Sequence, residues 1–283
     1  MNKPRRKNNQ AKKTQAELAD RHELYQLSVQ EPEHELELIQ EKYLSLRGRK
    51  AVSFREDFCG TAKFSVEWCK LAKENTAQGI DLCEETLQWG RQHNLSGADE
   101  NVASRVELIQ GNVLDIHEPK VDVTCALNFS YNIFKTRELL SQYFRSVLTG
   151  LNKEGVLIMD VFGGTEAICA TKEKRKIAGQ KFKFIWEQEK YNPISNEILC
   201  HIHFKFKDGS KIKRAFTYDW RLWTIAELKE LLLQAGFSKT HVYWEEYIDD
   251  VDDDDYMITT GRYIEVEEVE NQESWVAYLV AEV

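Results

Sequence analysis

Between residues 51 and 162, short apolar segments alternate with amphipathic segments of helical periodicity. The apolar segments have the length of strands and are 51–56, 77–82, 105–111, 121–127 and 155–162. The segments with helical spacing are 61–74, 84–94 and 136–151. Units in which a helix connects two parallel strands build a sheet that is covered on both faces. The alternation therefore predicts an α/β fold with a central parallel sheet.

The alternation is interrupted after residue 162 and resumes at Thr224. Residues 182–219 contain three apolar segments separated by "NPISN" and "KDGS", which have the composition of turns. We expect three antiparallel strands and no helix there. The sequence "TIAE" from Thr224 has the spacing of a capping box and predicts a helix that ends at Gly236. Two further strands, "SKTHVYWEEY" and "SWVAYLVAEV", are expected to form a closing antiparallel pair joined by an acidic loop.

These patterns divide the chain into four parts. Residues 1–14 are predicted to be a disordered basic tail, and residues 15–50 an N-terminal helical cap. Residues 51–162 and 224–283 are predicted to form the core, with residues 163–223 as an inserted antiparallel β subdomain.

The charge of the chain is uneven. The formal net charge is −9, yet residues 1–13 carry six Lys or Arg and no acid. Residues 245–255 carry eight acids. An acidic body does not favour a large contact with nucleic acid, so we predict a small-molecule partner and keep nucleic acid as the less favoured alternative.

Cysteine usage and hydropathy favour a cytoplasmic location. The six cysteines form no C-x-x-C pair, which is typical of reduced thiols. No apolar segment reaches the roughly 18 residues of a membrane helix, and no apolar segment follows the basic N-terminus as in a signal peptide. We therefore predict no membrane partner. The oligomeric state is not determined by the sequence.

The turn after the first strand, within "REDFCGTAKF", has the features of a ligand site. In an open α/β sheet, ligands bind at the carboxyl ends of the strands, where a glycine such as Gly60 allows close approach. Asp81, 21 residues later, ends the second strand, where an acid accepts hydrogen bonds from ribose hydroxyls. The G-x-G-x-x-G spacing of dinucleotide sites is absent, since Phe58 and Lys63 interrupt it. A nucleoside-containing cofactor other than a dinucleotide is predicted.

The segment "EDFCGTA" resembles motif I of class I S-adenosylmethionine-dependent methyltransferases, E/D-x-G-x-G-x-G. On this resemblance Glu56 takes the place of the acid and Gly60 that of the central glycine. Phe58 and Ala62 stand where the first and last glycines would be. The segments "GIDLCEETL", "QGNVLDI" and "AELKELLLQAGF" resemble later segments of the same superfamily in the same order. "DRHELYQLSVQ" and "WRLW" resemble a bacterial subgroup of it.

The resemblance implies the fold, the cofactor and the site. The fold would be a Rossmann-like seven-stranded class I methyltransferase sheet with a terminal antiparallel hairpin and an inserted antiparallel β lid. The cofactor would be S-adenosyl-L-methionine. Glu56 and Asp57 would balance its positive charges, Arg55 is considered for its carboxylate, and Asn112 would meet the adenine. The implied cofactor-binding residues are Tyr25, Arg55, Glu56, Phe58, Cys59, Gly60, Thr61, Ala62, Asp81, Leu82, Asn112, Val113 and Asn128.

The catalytic residues are less defined. Methyl transfer from a sulfonium needs no metal, and it needs a base only if the acceptor must lose a proton. The candidates for a catalytic role are Tyr131, His201 and His203. "NFSY" at 128–131 matches the Asn and the aromatic residue, but not the prolines, of a loop found in amino-methylating enzymes of nucleic acids, so Asn128 and Tyr131 are predicted to line the pocket. No metal site is predicted, although two histidines on one strand face and the acids 252–255 could suggest one.

Two questions stay open at this stage. Trp186, Tyr218, Trp220, Trp223 and Trp244 are either a packing layer or an aromatic wall over the acceptor. The function is predicted to be methyl transfer to a small molecule. The alternatives are an RNA or protein methyltransferase and a non-catalytic S-adenosylmethionine-binding protein.

Overall fold

The computed structural model describes residues 12–250 and 253–283. Its strands are β1 Ser53–Asp57, β2 Thr76–Asp81, β3 Val106–Gln110, β4 Val121–Ala126, β5 Leu151–Gly163, β6 Thr171–Lys176, β7 Phe182–Asn192, β8 Glu197–Phe206, β9 Lys211–Arg221, β10 Lys239–Asp250, β11 Asp253–Glu265 and β12 Trp275–Glu282. Its α-helices are α1 Gln15–Leu18, α2 Arg21–Val29, α3 Pro32–Arg47, α4 Lys63–Leu71, α5 Glu84–Gly90, α6 Glu100–Ala103, α7 Arg137–Gly150 and α8 Ile225–Ala235. Short 3-10 turns lie at Ser130–Ile133 and Thr165–Ile168, and a π turn at Arg91–Leu95 extends α5.

The larger sheet has eight strands in the order β11-β10-β12-β5-β4-β1-β2-β3. Strands β1 to β5 are parallel, whereas β12 is antiparallel to both β5 and β10. The predicted α/β fold with a parallel centre and a terminal antiparallel pair is confirmed. The predicted number of seven strands is wrong, because the segment expected to be an acidic loop forms the edge strand β11 and pairs with β10. The β-prone residues "YMITTGRYI" at 256–264 follow the acidic run and explain the extra strand.

Helices cover both faces of this sheet. On one face, α7 and α8 contribute Leu140, Phe144 and Leu231 to an apolar core. On the other face, α3 and α4 contribute Ile39 and Trp68 to a second core. This two-sided covering follows from the βα alternation in the sequence, since each amphipathic helix buries its apolar stripe against the sheet. In the described part of the chain, no helix combines the length and the apolar character that crossing a bilayer requires.

The N-terminal helices α1 to α3 begin at recognisable caps. Thr14 caps α1, Asp20 accepts hydrogen bonds from the first turn of α2, and Pro32 occupies the first turn of α3. Residues 1–11 of the predicted tail lie outside the described residues.

The insert is a separate sheet of four antiparallel strands in the order β6-β7-β8-β9. The three antiparallel strands without a helix that were predicted for residues 182–219 are confirmed as β7, β8 and β9. The strand β6 and the 3-10 turn Thr165–Ile168, which precede this range, were not predicted. The sequence of β6, "TKEKRK", has no apolar alternation to mark it as a strand, and charged side chains of this kind are typical of sheet edges. The inner face of the insert buries an apolar cluster that includes Phe184 and Phe204 and packs against Leu24 of α2.

Candidate functional site

The loop between β1 and α4 has an unusual backbone. Phe58, Gly60 and Ala62 have positive φ angles of 58°, 52° and 56°. The left-handed conformation is unfavourable for residues with a Cβ atom, and such strain clusters at functional sites. The Phe58 ring packs at centroid distances of 5.9 Å from Phe134 and 5.6 Å from Tyr143, which stabilises its position. Replacing two glycines of the resembled motif by Phe and Ala has therefore not prevented a left-handed backbone at these positions.

Asp81 at the end of β2 holds this loop in place. Its carboxylate accepts hydrogen bonds of 2.8 Å from the backbone N–H groups of Gly60 and Cys83. The loop also packs closely on α5, because a Cβ atom at Gly90 would lie 2.5 Å from the Thr61 carbonyl oxygen. Each carboxylate oxygen of Asp81 keeps a further lone pair that could accept a hydrogen bond from a ligand hydroxyl. Its role toward a ribose stays a prediction.

A cavity of about 340 Å³ lies at the carboxyl ends of β1, β2 and β4. It is bordered by the loop after β1, by α2, by the segment after β4 and by β9 of the insert. The predicted site residues that line it are Tyr25, Glu56, Phe58, Cys59, Gly60, Thr61, Asp81 and Asn128. The fold thus brings together residues that lie up to 103 positions apart in the sequence.

Arg55 does not line the cavity, and its expected contact with a cofactor carboxylate is not supported. Its guanidinium is buried and donates to Asp57 Oδ1 at 2.6 Å and to the carbonyl oxygens of Ile116 and Val113 at 2.5 and 3.2 Å. Successive side chains of a strand point to opposite faces, so Arg55 points away from the side on which Glu56 lies. Arg55 instead ties β1 to the segment that follows β3.

Four other predicted residues border the site without lining the cavity. Ala62 and Val113 are buried. Asn112 follows β3 and accepts a hydrogen bond from the Leu114 N–H at 3.1 Å. Leu82 follows Asp81 and is 64% exposed. Because β2 and β3 end at the same sheet edge, Leu82 and Asn112 remain predicted contacts for the adenosine end of a cofactor.

The three candidates for a catalytic role are not at the cavity, which corrects the expectation. Tyr131 is buried and its hydroxyl donates to the Asp160 carbonyl oxygen at 2.9 Å. His201 and His203 lie on the face of the insert sheet that points away from the cavity. His201 is held between Thr217 and Glu189, at 2.9 Å from each. The alternation along β8 decides this placement, because Ile202 between the two histidines faces the apolar cluster.

Buried carboxyl groups lie at the cavity, as Glu56 does, and outside its lining, as Glu35 does. Glu56 accepts from the N–H and hydroxyl of Ser65 at 2.8 and 2.6 Å, and burial raises its pKa to about 8. Burial also raises the pKa of Glu35 to about 8. These groups favour a positively charged ligand, because a cation nearby stabilises the ionised form of a buried carboxyl.

Asp160 in β5 is a site residue that the sequence analysis missed. Its carboxylate accepts hydrogen bonds from the N–H groups of Asn128 and Phe129 at 2.7 and 2.8 Å, and burial raises its pKa to about 7. Asn128 and Phe129 both have a left-handed backbone, with φ angles of 54° and 58°. Asp160 therefore fixes the loop that follows β4. A single acid within the apolar strand "GVLIMDVF" was the signal that could have identified it.

Helix α2 closes the cavity on one side. Gln26 donates to the Thr61 hydroxyl at 2.6 Å, and Asp20 accepts from the Trp89 indole at 2.8 Å. Besides Tyr25, α2 contributes Arg21 and His22 to the lining, which the sequence analysis did not predict. Gln30, directly after α2, also lines the cavity.

The Gln30 side chain bears on whether the site can hold S-adenosylmethionine. Its carbonyl oxygen is buried and finds no hydrogen-bond donor among the described residues. An orphaned acceptor beside several carboxyl groups suits a ligand that carries an ammonium and a sulfonium group. The residues present therefore fit the methionine part of S-adenosylmethionine.

Aromatic side chains of β9 form the opposite wall. Phe216, Tyr218 and Trp220 line the cavity, and the last two stack at a centroid distance of 4.4 Å. Trp223 and Trp244 belong to the packing, since Trp223 donates to the Phe134 carbonyl oxygen in the core and Trp244 packs on Trp275. Trp186 packs behind Tyr218 at 6.1 Å. Trp186, Trp223 and Trp244 are thus packing residues, whereas Tyr218 and Trp220 line the cavity, and their role as a wall over an acceptor stays a prediction.

Solved structures share this architecture. An S-adenosylmethionine-dependent methyltransferase from Clostridium acetobutylicum superposes with a TM-score of 0.64 at 16% identity, covering 92% of this chain and 96% of that one. CalS10, an amino pentose methyltransferase from Micromonospora echinaspora, superposes with a TM-score of 0.62 at 14% identity, covering 92% and 95% of the two chains. The chain has the class I methyltransferase fold. This is the fold that the motif I resemblance implied.

Sequence comparison agrees with the class I methyltransferase fold. The Bacillus subtilis protein named "Putative methyltransferase YqeM" is 25% identical over 182 residues, which cover 64% of this chain and 71% of that protein. No protein-family profile matches the chain. In class I methyltransferase terms, the loop after β1 is motif I and β10 to β12 contain the terminal antiparallel strands.

Proposed function

We propose that the protein transfers a methyl group from S-adenosylmethionine to a small-molecule acceptor. The observation that carries this proposal is the loop of Phe58, Gly60 and Ala62, with its three left-handed residues held by Asp81 at the edge of a cavity. The class I methyltransferase fold, the carboxyl and carbonyl oxygens at the cavity, and the similarity to proteins named as methyltransferases support the same function.

The size of the cavity supports a small acceptor. Tyr25 of α2 and Phe216 of β9 line the cavity and pack on each other at a centroid distance of 5.0 Å. A cavity of about 340 Å³ is in the range of small-molecule sites, and part of it would receive the methionine end of the cofactor. The amino pentose substrate named for CalS10 is a small molecule of the kind we propose here.

S-adenosylmethionine supplies a methyl group on a sulfonium that is already a good leaving group. The chain's own residues then orient the reactants for an in-line displacement and exclude water. Glu56 and the Gln30 carbonyl oxygen provide negative potential at the positive end of the cofactor. Asp81 accepts from the ribose hydroxyls, and the wall of Phe216, Tyr218 and Trp220 positions the acceptor. A carboxyl group with a pKa near 7 or 8, such as Glu56, is suited to take up a proton if the acceptor releases one.

The experiment that tests this function has two parts. Calorimetry measures binding of S-adenosylmethionine to the purified protein, and absence of binding would contradict the proposal. Incubation of metabolite extracts with methyl-labelled S-adenosylmethionine then identifies the acceptor. A size filter and digestion separate a small acceptor from RNA or protein. Labelled product that passes the filter before any digestion indicates a small acceptor, whereas labelled product that is retained and is released only by nuclease or by protease indicates RNA or protein.

A further inference from the structure

The outer face of the insert sheet carries a row of lysines that crosses all four strands. Lys176 of β6 pairs with Lys183 of β7, Lys183 pairs with Lys205 of β8, and Lys205 pairs with Lys211 of β9. We call these four residues the lysine row. Paired positions in adjacent strands point to the same face, so the four ammonium groups share one side of the sheet.

The lysine row opposes the stability of the sheet that contains it. Like charges directly opposite each other on neighbouring strands are destabilising. Among the described residues, Glu187 on this face contacts Lys172 and His203, and Glu189 contacts Arg214 and His201. None of these contacts includes a member of the lysine row. All four lysines are exposed. A sheet built only for solubility would intersperse both signs of charge, so the row indicates a binding role.

The same face contains a concave surface. A groove of about 480 Å³ is lined by two members of the row, Lys205 and Lys211, together with further cations. These further cations are Lys172, Lys174, Lys213 and Arg214. A second depression of about 220 Å³ beside it is lined by the other two members, Lys176 and Lys183. The groove and the row thus form one continuous basic surface.

The charge of the chain is segregated onto this part of the molecule. Residues 163–223 contain thirteen Lys or Arg and seven Asp or Glu, although the whole chain has a net charge of −9. Residues 14–18, which follow the basic residues 1–13 in the sequence, contact the insert at the end of the sheet that carries the row. Gln15 donates its backbone N–H to Asp208 at 2.8 Å, in the turn between Lys205 and Lys211. The negative net charge of the whole chain therefore does not describe this surface, which carries an excess of positive charge.

We propose that the lysine row and its groove bind the phosphate backbone of a nucleic acid, independently of base sequence. Strands are about 4.8 Å apart, so the row spans about 14 Å, and a linear polyanion that lies across the strands can meet all four lysines. This surface goes beyond the proposed methyl transfer, because it lies on the opposite face of the sheet from Tyr218 and Trp220.

The side chains around the row favour nucleic acid over other anionic partners. The groove lining contains no Phe, Tyr or Trp. The one imidazole of the lining, His203, is only 8% exposed and lies 2.7 Å from Glu187, so the groove offers no free ring on which a base could stack and contacts are limited to phosphates. Its one apolar lining residue, Ile185, is 5% exposed and cannot enter a lipid layer or a side-chain pocket of an acidic protein. The repeated charge of a phosphodiester backbone matches a row of identical cations, whereas acidic peptides present charge at irregular spacing.

The test compares the full-length protein with two matched variants. The row variant carries Lys176→Gln, Lys183→Gln, Lys205→Gln and Lys211→Gln. The control variant carries Lys73→Gln, Lys120→Gln, Lys153→Gln and Lys239→Gln, four exposed lysines outside the insert with the same change of net charge. Fluorescence anisotropy measures binding to a labelled single-stranded RNA and to a DNA duplex, each in two unrelated sequences, between about 50 and 200 mM salt.

We expect similar affinity for the unrelated sequences and a steep loss of affinity with salt. In the row variant the slope of log affinity against log salt should become shallower by about 3 for a single strand, and affinity at low salt should fall by about 100-fold. The control variant should change by less than threefold. The row variant should also melt at a higher temperature at low salt, because like-charge repulsion is removed, and it should bind S-adenosylmethionine as the wild-type protein does.

Several results would overturn the proposal. An equal loss in both variants would show that net charge alone attracts nucleic acid. Absence of binding at low salt would remove the site. Binding of anionic lipid vesicles or polyglutamate that depends on the row, without binding of nucleic acid, would assign the surface to a different partner.

Discussion

At the scale of single residues, the cavity depends on a backbone that its own residues do not favour. Phe58, Ala62, Asn128 and Phe129 all have left-handed φ angles without being glycine. Each costs about 1–2 kcal/mol relative to an ordinary conformation. The strain persists because carboxylates hold both loops, Asp81 the one after β1 and Asp160 the one after β4. These two carboxylates are therefore the residues on which substitution should have the largest effect.

Asp81→Ala should weaken S-adenosylmethionine binding by about 2–4 kcal/mol, because it removes charge-assisted hydrogen bonds to the loop and to the ribose. Asp81→Asn keeps one carbonyl oxygen and should lose less of the affinity for S-adenosylmethionine. Calorimetry on folded variants measures the effect, with Asp99→Ala at an exposed position as the control. Unchanged affinity in Asp81→Ala would remove this residue from the site.

Asp160→Asn should destabilise the protein by about 1–3 kcal/mol. The amide keeps the size of the side chain, but its single oxygen cannot accept from both Asn128 and Phe129, which leaves a buried N–H without a partner. Denaturant unfolding measures the loss, and Asp115→Asn at an exposed position serves as the comparison. A variant as stable as the wild-type protein would mean that the loop is held by other contacts.

At the scale of elements, the cavity is closed by two parts of the chain that lie outside the βα core. Helix α2 and strand β9 meet where Tyr25 packs on Phe216, and α2 is tied to the motif I loop through Gln26. The insert therefore contacts α2 as well as lining the cavity.

Phe216→Ala should open this contact and accelerate dissociation of S-adenosylmethionine, with an affinity loss of up to tenfold, about 1.4 kcal/mol. Turnover on the acceptor found in the screen should fall further, because orientation of the acceptor is lost. Phe206→Ala is the matched control, since Phe206 belongs to the same apolar cluster but does not line the cavity. Equal effects of the two substitutions would mean that Phe216 acts only through the stability of the insert.

At the scale of the whole molecule, buried carboxyl groups couple stability to pH. Burial raises the pKa of Glu35 and Glu56 to about 8 and that of Asp160 to about 7. Unfolded carboxyls ionise near pH 4, so between about pH 4 and 8 these groups bind more protons in the folded state. Their contribution to the free energy of unfolding therefore falls as pH rises through this interval and levels off above it.

A single variant isolates this contribution. Glu56→Gln cannot ionise, so the melting temperature of the wild-type protein minus that of the variant should decrease from pH 5.5 to 8.5. Glu74→Gln at an exposed position is the control. A difference that stays constant or increases with pH would show that Glu56 does not retain a proton in the folded protein.

The same groups should make cofactor binding depend on pH. S-adenosylmethionine carries a sulfonium that S-adenosylhomocysteine lacks, and ionised carboxyls around the cavity attract it. The ratio of the two affinities should therefore shift toward S-adenosylmethionine between pH 6 and 8.5, while the shared ammonium affects both ligands alike. Calorimetry with both ligands measures the ratio. A ratio independent of pH would place the sulfonium away from these carboxyls.

The sequence by itself determined the α/β architecture, the position of motif I and eight of the residues that line the cavity. Local periodicity encodes strands and helices, and the order of the elements permits few ways of arranging a parallel sheet. The cap at Thr224 and the turn at Gly60 are likewise local signals, because capping and turn chemistry involve residues close in the chain.

Only the tertiary structure decided which face each side chain of a strand presents and what lies opposite it. Arg55 points away from Glu56, and His203 points away from the cavity, because alternation along a strand gives two faces but does not say which one meets the ligand. The edge strand β11 and the lysine row became visible through pairing partners that are distant in sequence. The role of Asp160 depends on N–H groups 31 and 32 residues away. Such contacts exist only after the chain has folded. The lone acid in an apolar strand could mark Asp160 as unusual, but no local pattern could reveal which N–H groups it holds.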